Sequence, residues 1–471
     1  MWGGEPIRLP RYHSDKEGVF VMNWNAATPR TLQRYGVDER WDVVLDPDRV
    51  FWALVGKDAR QAQDEASALH ARVAEELESR LREFRFGTHV TALYVNPNDA
   101  CHADCRYCYI PPEIRRNGPR MTKEQLGLVL DKAAAYFSRQ ELGDRKPVII
   151  FHGSEPLVVK DLVFWAIREY GETFAFGLQT DGVLLTEEDI AFLKEKRVSV
   201  GISLDSHDPK VHSYLRRVPG QDGGFERTVR AIEAFDGYAG LNVVTTITRH
   251  NVQDLPDLVT FLHERKVQVA MMNPVRGTQP YSQSFRPDCD TLLEMFTRAV
   301  RRTLDLSERS GRPILIGDFS NLVLAIVAPE GRRLMCDITP CGGARCFFTI
   351  TAGGEMVPCG EFQGLDGFSG GNIFRDSIED AVASRPFQQV RERTVERIEE
   401  CRDCAIRHIC GAPCPAEMQG ASGDMLLPSP YCGFYKGIVR VAFQLIAEGK
   451  IRRLVRDMAI NQLQVDYCVV R

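Results

Sequence analysis

No stretch of about 18 consecutive apolar residues occurs in this chain, so nothing in it reads as a membrane-spanning helix. The opening residues, MWGGEPIRLPRYHSDKEG, lack the apolar core of a secretory signal. Positive charge is not in excess. A formal net charge of −5 gives no basis for a nucleic acid or other polyanionic partner. Internal repeats and low-complexity tracts are missing too. These absences leave a soluble protein of the cytoplasm as the expectation, with neither membrane nor nucleic acid among its partners.

Cysteine, by contrast, is plentiful, with 14 in 471 residues. In a reducing compartment such a number points to metal or catalytic roles, not to a disulfide framework. The cysteines are unevenly placed. Cys101, Cys105 and Cys108 form one group, and nine more lie from Cys336 to Cys432. Cys289 and Cys468 stand apart and read as structural or free. Two groups imply at least two metal regions. The length predicts two to four domains.

From residue 89 the pattern becomes rhythmic. Strand-like runs at His89–Asn96, Val148–His152, Phe174–Thr180, Val198–Leu204, Leu241–Thr248 and Val267–Asn273 alternate with helix-like stretches. The latter are Lys123–Arg139, Lys160–Tyr170, Glu187–Lys196, Phe225–Phe235 and Asp254–Glu264. Such alternation predicts right-handed βαβ crossovers and a parallel sheet. Six units are too few for a closed eight-unit barrel. The expected fold is therefore α/β, a partial (β/α)6 TIM-like barrel over residues 89–280, with its active site at the C-terminal strand ends. Residues 1–88 show short strands at Val19–Asn23 and Val50–Val55 and a charged helix over Asp58–Phe84. They read as an extension that packs on the rest or docks a peptide. Residues 281–335 read as a helical bridge, 336–440 as a Cys- and Gly-rich domain, and 441–471 as a helical tail, with a closing helix at Gly437–Glu448.

The first cysteine group, CHADCRYCY, follows the first barrel strand. Iron–sulfur clusters are usually held by four thiolates. Three close thiols with no fourth nearby fit a [4Fe–4S] cluster with one iron open to a substrate or cofactor. Three free thiols, or part of a zinc site, are the plainer alternatives. FHGSEP ends the second strand, where Gly153 permits close backbone approach and Glu155 offers a carboxylate to an ammonium. QTDG ends the third, and its Asp181 and Gly182 read as a turn. GISLD ends the fourth with Ser203 and Asp205, and Arg216 and Arg217 follow. Asp205 reads as a substrate contact or proton acceptor, or as a helix cap. Near the C-terminus, Cys401, Cys404, Cys410 and Cys414 precede Cys432, and Cys341, Cys346 and Cys359 lie ahead of them. CxxC knuckles also suit zinc.

In their order over roughly residues 89–440, these motifs resemble the radical S-adenosylmethionine (SAM) enzymes, and the later cysteines resemble the SPASM extension of that family. The resemblance implies that Cys101, Cys105 and Cys108 hold the cluster whose open iron chelates SAM. It implies that the Tyr107 backbone reaches the adenine, and that Gly153, Ser154 and Glu155 hold the amino group, Ser154 replacing the usual Gly. Ser203 would contact the ribose. Arg216, with Arg217 as a register alternative, would pair with the carboxylate. Two auxiliary [4Fe–4S] clusters are also implied, one on Cys341, Cys346, Cys359 and Cys414, the other on Cys401, Cys404, Cys410 and Cys432. Cys336 is an alternative to Cys346.

SPASM enzymes mostly modify ribosomal peptides or proteins. Sulfatase-maturing members carry an Asp after the Cys that corresponds to Cys359. Gly360 stands there in this chain, which argues against formylglycine formation. Similarity to maturases of short Cys-containing precursor peptides and of quinohemoprotein amine dehydrogenase implies a thioether crosslink, with a flavodoxin or ferredoxin as electron donor. Carbon–carbon crosslinking, epimerisation and formylglycine formation are the enzymatic alternatives. An iron–sulfur electron carrier or a zinc-stabilised binding protein are the non-enzymatic ones.

Overall fold

Six strands run parallel and in chain order through one sheet: β1 (Ala92–Val95), β2 (Val148–Phe151), β3 (Ala175–Thr180), β4 (Ser199–Ser203), β5 (Leu241–Ile247) and β6 (Val269–Pro274). The computed structural model describes residues 13–14, 20–21, 32–58, 62–143, 145–220, 223–327 and 329–450. Helices α1 (Lys123–Phe137), α2 (Lys160–Tyr170), α3 (Glu187–Glu195), α4 (Gly224–Ala234) and α5 (Leu255–Glu264) make the crossovers. Strands such as β2, VIIF, are continuous apolar runs because a parallel sheet is covered on both faces. α1 buries Leu126, Val129, Leu130, Ala133 and Phe137, one stripe at helical spacing. Capping boxes at Thr122 and Gln125, and at Thr186 and Asp189, start α1 and α3 where the loops end. Lys160 pairs with Asp189 at 2.9 Å and ties α2 to α3.

The expected α/β fold of six strand–helix units is therefore the fold that forms, as an open sheet. Two further parallel strands extend it. Leu315–Ile316 pairs with β6, inside the segment expected to be a helical bridge. Phe347–Ile350, from the Cys-rich region, pairs with the free edge of β1, Phe347 opposite Ala92 and Ile350 opposite Val95. Met356–Val357 then closes antiparallel on Phe347–Ile350. Helices Cys289–Ser310 and Gly317–Val327 flank Leu315–Ile316.

Ahead of the barrel, an antiparallel sheet runs in the order His13–Ser14, Phe20–Val21, Phe51–Gly56, Trp41–Asp46, Gln33–Gly36, followed by helix Ala62–Phe86. Sequence reading found two of these strands. It missed Trp41–Asp46 because acidic residues bracket its apolar centre. Asp46 is nevertheless buried, paired with Arg49 at 2.9 Å and His70 at 2.7 Å. The sheet packs on the rest of the chain. The Trp52 indole donates to the Ile326 carbonyl at 2.9 Å, and the Tyr35 hydroxyl to the Lys436 carbonyl at 2.6 Å. The closing helix is Cys432–Ala447, so it starts at a cysteine and runs through the 440/441 boundary expected from sequence. Most of the expected tail, 451–471, lies outside the described residues. No helix among the described residues is long and apolar enough to cross a membrane.

Candidate active site

The first cysteine loop leaves the C-terminal end of β1 and is pinned by a short antiparallel pairing of Asp104–Cys105 with Arg216–Arg217. This pairing turns Arg216 inward and leaves Arg217 exposed. The Tyr107 hydroxyl accepts from Arg216 Nη1 at 2.5 Å and donates to Asp205. Asp205 is fully buried at the end of β4, and its other oxygen accepts from the Thr246 amide at 2.9 Å. Both Asp205 oxygens thus accept hydrogen bonds from protein groups, one from Tyr107 and the other from Thr246. Arg216 is also 3.6 Å from Asp205. Ser203, half-buried, is the last residue of β4.

Glu155 and Asp181 come from the ends of the neighbouring strands β2 and β3. Glu155 accepts from the Leu157 amide at 3.0 Å, the Thr180 hydroxyl at 2.8 Å and the Asp181 amide at 2.9 Å. Burial, and then the Asp181 carboxylate, push the Glu155 carboxyl up. Asp181 plays the expected turn role, accepting from the Val183 amide at 2.9 Å beside Gly182 at φ +79°. It also meets His102 Nε2 at 2.5 Å. That second role was missed, since nothing in the spacing joins a residue of the cysteine loop to the end of β3. Ligand atoms of His102, Glu155 and Asp181 lie within 4.8 Å of one another. Gly153 is required where it stands. Its φ is +102°, and a Cβ would lie 2.4 Å from the buried Asn96 side chain. Ser154 donates to the Asp99 carbonyl at 2.5 Å.

The opposite wall comes from the Cys-rich region. Gln363 donates to Asp99 at 2.9 Å and accepts from Asn96 at 3.1 Å, and the Ala352 amide donates to Asp99 at 3.0 Å. A Cβ on Gly360 would lie 3.0 Å from the Tyr109 hydroxyl oxygen and 3.7 Å from the His152 ring. That hydroxyl and His152 Nδ1 are buried without a hydrogen-bond partner. Beyond β6, the Thr278 hydroxyl donates to Glu361 at 2.7 Å, and burial pushes the Glu361 carboxyl up to about 7. Sequence reading singled out none of Tyr109, His152 or Glu361.

The later cysteines gather in two sets. Cys359 interacts with Cys414 and Cys341, and Cys346 with Cys341. A Cβ on Gly343 would touch both Cys341 Sγ and Cys359 Cβ at 3.6 Å. In the second set, Cys401 and Cys410 each interact with Cys404 and Cys432. Cys336 is exposed, and Cys289 is half-buried with its Sγ 3.5 Å from the Pro430 carbonyl. Burial pushes the Cys105 and Cys414 thiols up to about 12, and those of Cys346 and Cys401 to about 11. Convergent buried thiols suit a centre that takes them as thiolates and releases their protons.

Three thiols at a strand end and two fuller thiol sets beyond them define an α/β iron–sulfur enzyme. The chain belongs to the radical SAM superfamily, which it matches over residues 95–262, and it carries a SPASM iron–sulfur cluster-binding domain matched over residues 341–405. It uses SAM and a [4Fe–4S] cluster, and its SPASM domain binds auxiliary iron–sulfur clusters. An uncharacterized protein of Archaeoglobus fulgidus is 42% identical over 412 residues, 88% of this chain and 94% of that protein. The PqqA peptide cyclase of Granulibacter bethesdensis is 27% identical over 337 residues, 70% of this chain and 84% of that protein. The structure of native anSMEcpe with bound AdoMet and Cp18Cys peptide shares the fold at TM-score 0.62 and 19% identity, covering 76% of this chain and 99% of that one.

Glu155→Ala and Arg216→Ala are each expected to weaken SAM binding without loss of iron. Removing one partner of a desolvated charge pair costs roughly 2–5 kcal/mol. Equilibrium binding of SAM to anaerobically prepared protein, with iron counted in parallel, checks this. Unchanged affinity in both variants refutes the pocket.

Proposed function

We propose that this enzyme modifies a ribosomal precursor peptide or protein by closing a thioether between a Cys sulfur and a peptide carbon. The observation that carries the reading is the polar seat at Gly360. Tyr109 follows Cys108 of the first loop and Gly360 follows Cys359 of the auxiliary region, so the seat joins the two. Leaving a buried polar group unpaired costs about 1–3 kcal/mol. Two such groups, Tyr109 Oη and His152 Nδ1, belong to the residues nearest a Gly360 side-chain position. A peptide amide, thiol or hydroxyl can pair with groups of this kind. The peptide named in the anSMEcpe structure and the peptide substrate in the PqqA cyclase name support a peptide here.

In this reading Cys101, Cys105 and Cys108 hold the SAM-binding cluster. Cys341, Cys346, Cys359 and Cys414 hold one auxiliary cluster, and Cys401, Cys404, Cys410 and Cys432 the other. The two thiol sets described above support that division, with Cys346 favoured over Cys336. The Tyr107 backbone faces the adenine of SAM, Glu155 with Gly153 and Ser154 its ammonium, Arg216 its carboxylate and Ser203 its ribose. Asp205 is a positioning residue for Tyr107 and Arg216. When bound, these groups supply a carbon radical for hydrogen abstraction and an acceptor for one electron. Joining C–H to S–H removes two hydrogens' worth of electrons and protons from the peptide. One leaves as a hydrogen atom with the deoxyadenosyl fragment, and the other as an electron and a proton. A flavodoxin or ferredoxin would supply the electron that cleaves SAM.

The test is anaerobic coexpression with a short Cys-containing peptide, taken from beside the gene where one is encoded there, followed by mass spectrometry and thiol labelling. The expected product lacks the mass of one hydrogen molecule and one reactive thiol per crosslink. The same mass loss with every thiol retained would mean a carbon–carbon crosslink instead, and an unmodified peptide would overturn the reading. Tyr109→Phe is expected to lower product yield at least several-fold while SAM cleavage persists.

A further inference from the structure

Four thiolates around a [4Fe–4S] core leave a net anion, and net charge is a main determinant of a cluster's reduction potential. Two such anions side by side resist reduction. The chain places a buried cation, Arg393, against the segments that carry both thiol sets.

Arg393 follows helix Arg385–Glu392 and is 3% exposed. Its Nε donates to the Met425 carbonyl at 2.5 Å and its Nη2 to the Leu427 carbonyl at 3.1 Å, on the segment that leads to Cys432. Two residues on, the Val395 amide donates to the Thr339 hydroxyl at 2.9 Å, on the segment that leads to Cys341. Arg393 thus holds the stretch that leads to Cys432, and its near neighbour Val395 holds the stretch that leads to Cys341. Leu426, between the two residues whose carbonyls Arg393 holds, packs on Val395, Ile398, Cys401 and Ala412, and the thiols of Cys414, Cys341, Cys401 and Cys410 lie within electrostatic range of the guanidinium. A buried guanidinium without a paired carboxylate is unfavourable unless another anion compensates it. Two anionic clusters are that compensation.

We propose that Arg393 is a positioning cation shared by the two auxiliary clusters, raising the reduction potential of both. The proposal rests on the ligand division given above. Arg345 provides a one-sided comparison. It is buried, held by the Phe84 and Gly87 carbonyls at 2.9 Å each, and it acts on Cys341 and Cys346 of the first set.

The experiment is a redox titration of the full-length, anaerobically reconstituted enzyme, followed by electron paramagnetic resonance with iron counted in each sample. In R393Q both auxiliary midpoint potentials are expected to fall, each by roughly a tenfold loss of electron affinity, 59 mV for a one-electron couple. The SAM-binding cluster should not move, R393K should stay near wild type, and R345Q should lower only the cluster on Cys341. Unmoved midpoints in R393Q with full iron, or movement of one auxiliary cluster alone, overturn the proposal. If R393Q assembles less iron, R393K decides. It keeps the charge but cannot reproduce both carbonyl bonds, so shifted midpoints there would mean packing, not charge. A wild-type protein without two auxiliary clusters overturns the ligand division, and this inference with it, before any variant is measured.

Discussion

Alanine at Cys101, Cys105 and Cys108 together is expected to bring SAM cleavage down to background while auxiliary iron stays in place. The three residues sit on one loop at the end of β1, pinned by the Asp104–Cys105 pairing with Arg216–Arg217. The auxiliary thiols belong to segments after residue 336 and make their own contacts there. In the proposed ligand division no thiol is shared by the two groups, so removing one group should leave the other able to bind iron. The assay is deoxyadenosine formation under chemical reduction, beside iron and sulfide analysis. Deoxyadenosine at wild-type rate from the triple variant would refute the assignment. Loss of all iron would show instead that the regions assemble as one.

Cys404→Ala or Cys410→Ala is expected to have the converse outcome. Deoxyadenosine still forms with a chemical reductant, one cluster's worth of iron is lost, and peptide product falls to background. Cys410 ends the short helix Arg407–Cys410, and Gly411 at φ +71° turns the chain toward Cys414 of the other set. Without the Cys410 or Cys404 thiol the set that includes Cys401 and Cys432 is one ligand short. Under the proposed function, the electron released when a peptide C–S bond closes would then have no route away. Anaerobic metal analysis and product mass spectra test both halves. Stoichiometric zinc in the wild-type auxiliary region, or normal crosslinking by these variants, would sink the proposal.

The strand–helix rhythm was legible because it is local. Each parallel strand is a short apolar run, each helix shows its stripe, and each cap lies within a few residues of what it caps. Cysteines announce themselves by spacing. What stayed hidden depends on residues far apart in the chain. The His102–Asp181 pair joins the ends of β1 and β3, and the seat at Gly360 draws Tyr109, His152 and Gly360 from three segments. Gln363 bonded to Asp99 and Asn96 is of the same kind. The strand Trp41–Asp46 was hidden for a different reason. Its flanking acids look solvent-facing until Arg49 and His70 are placed beside Asp46.

The pairing of Phe347–Ile350 with β1 also constrains how the chain can be made. β1 is the first barrel strand to leave the ribosome, yet one of its edges is completed only by a strand about 250 residues later. Until then that edge offers unpaired amides and carbonyls to any neighbouring strand. Nascent or truncated chains that stop before residue 347 therefore carry an adhesive border. They are expected to need holding by chaperones or to aggregate, even though all six barrel units have been synthesised. The Cys-rich region is thus part of the barrel's folding unit, and a barrel expressed without it should be recovered mainly as insoluble protein.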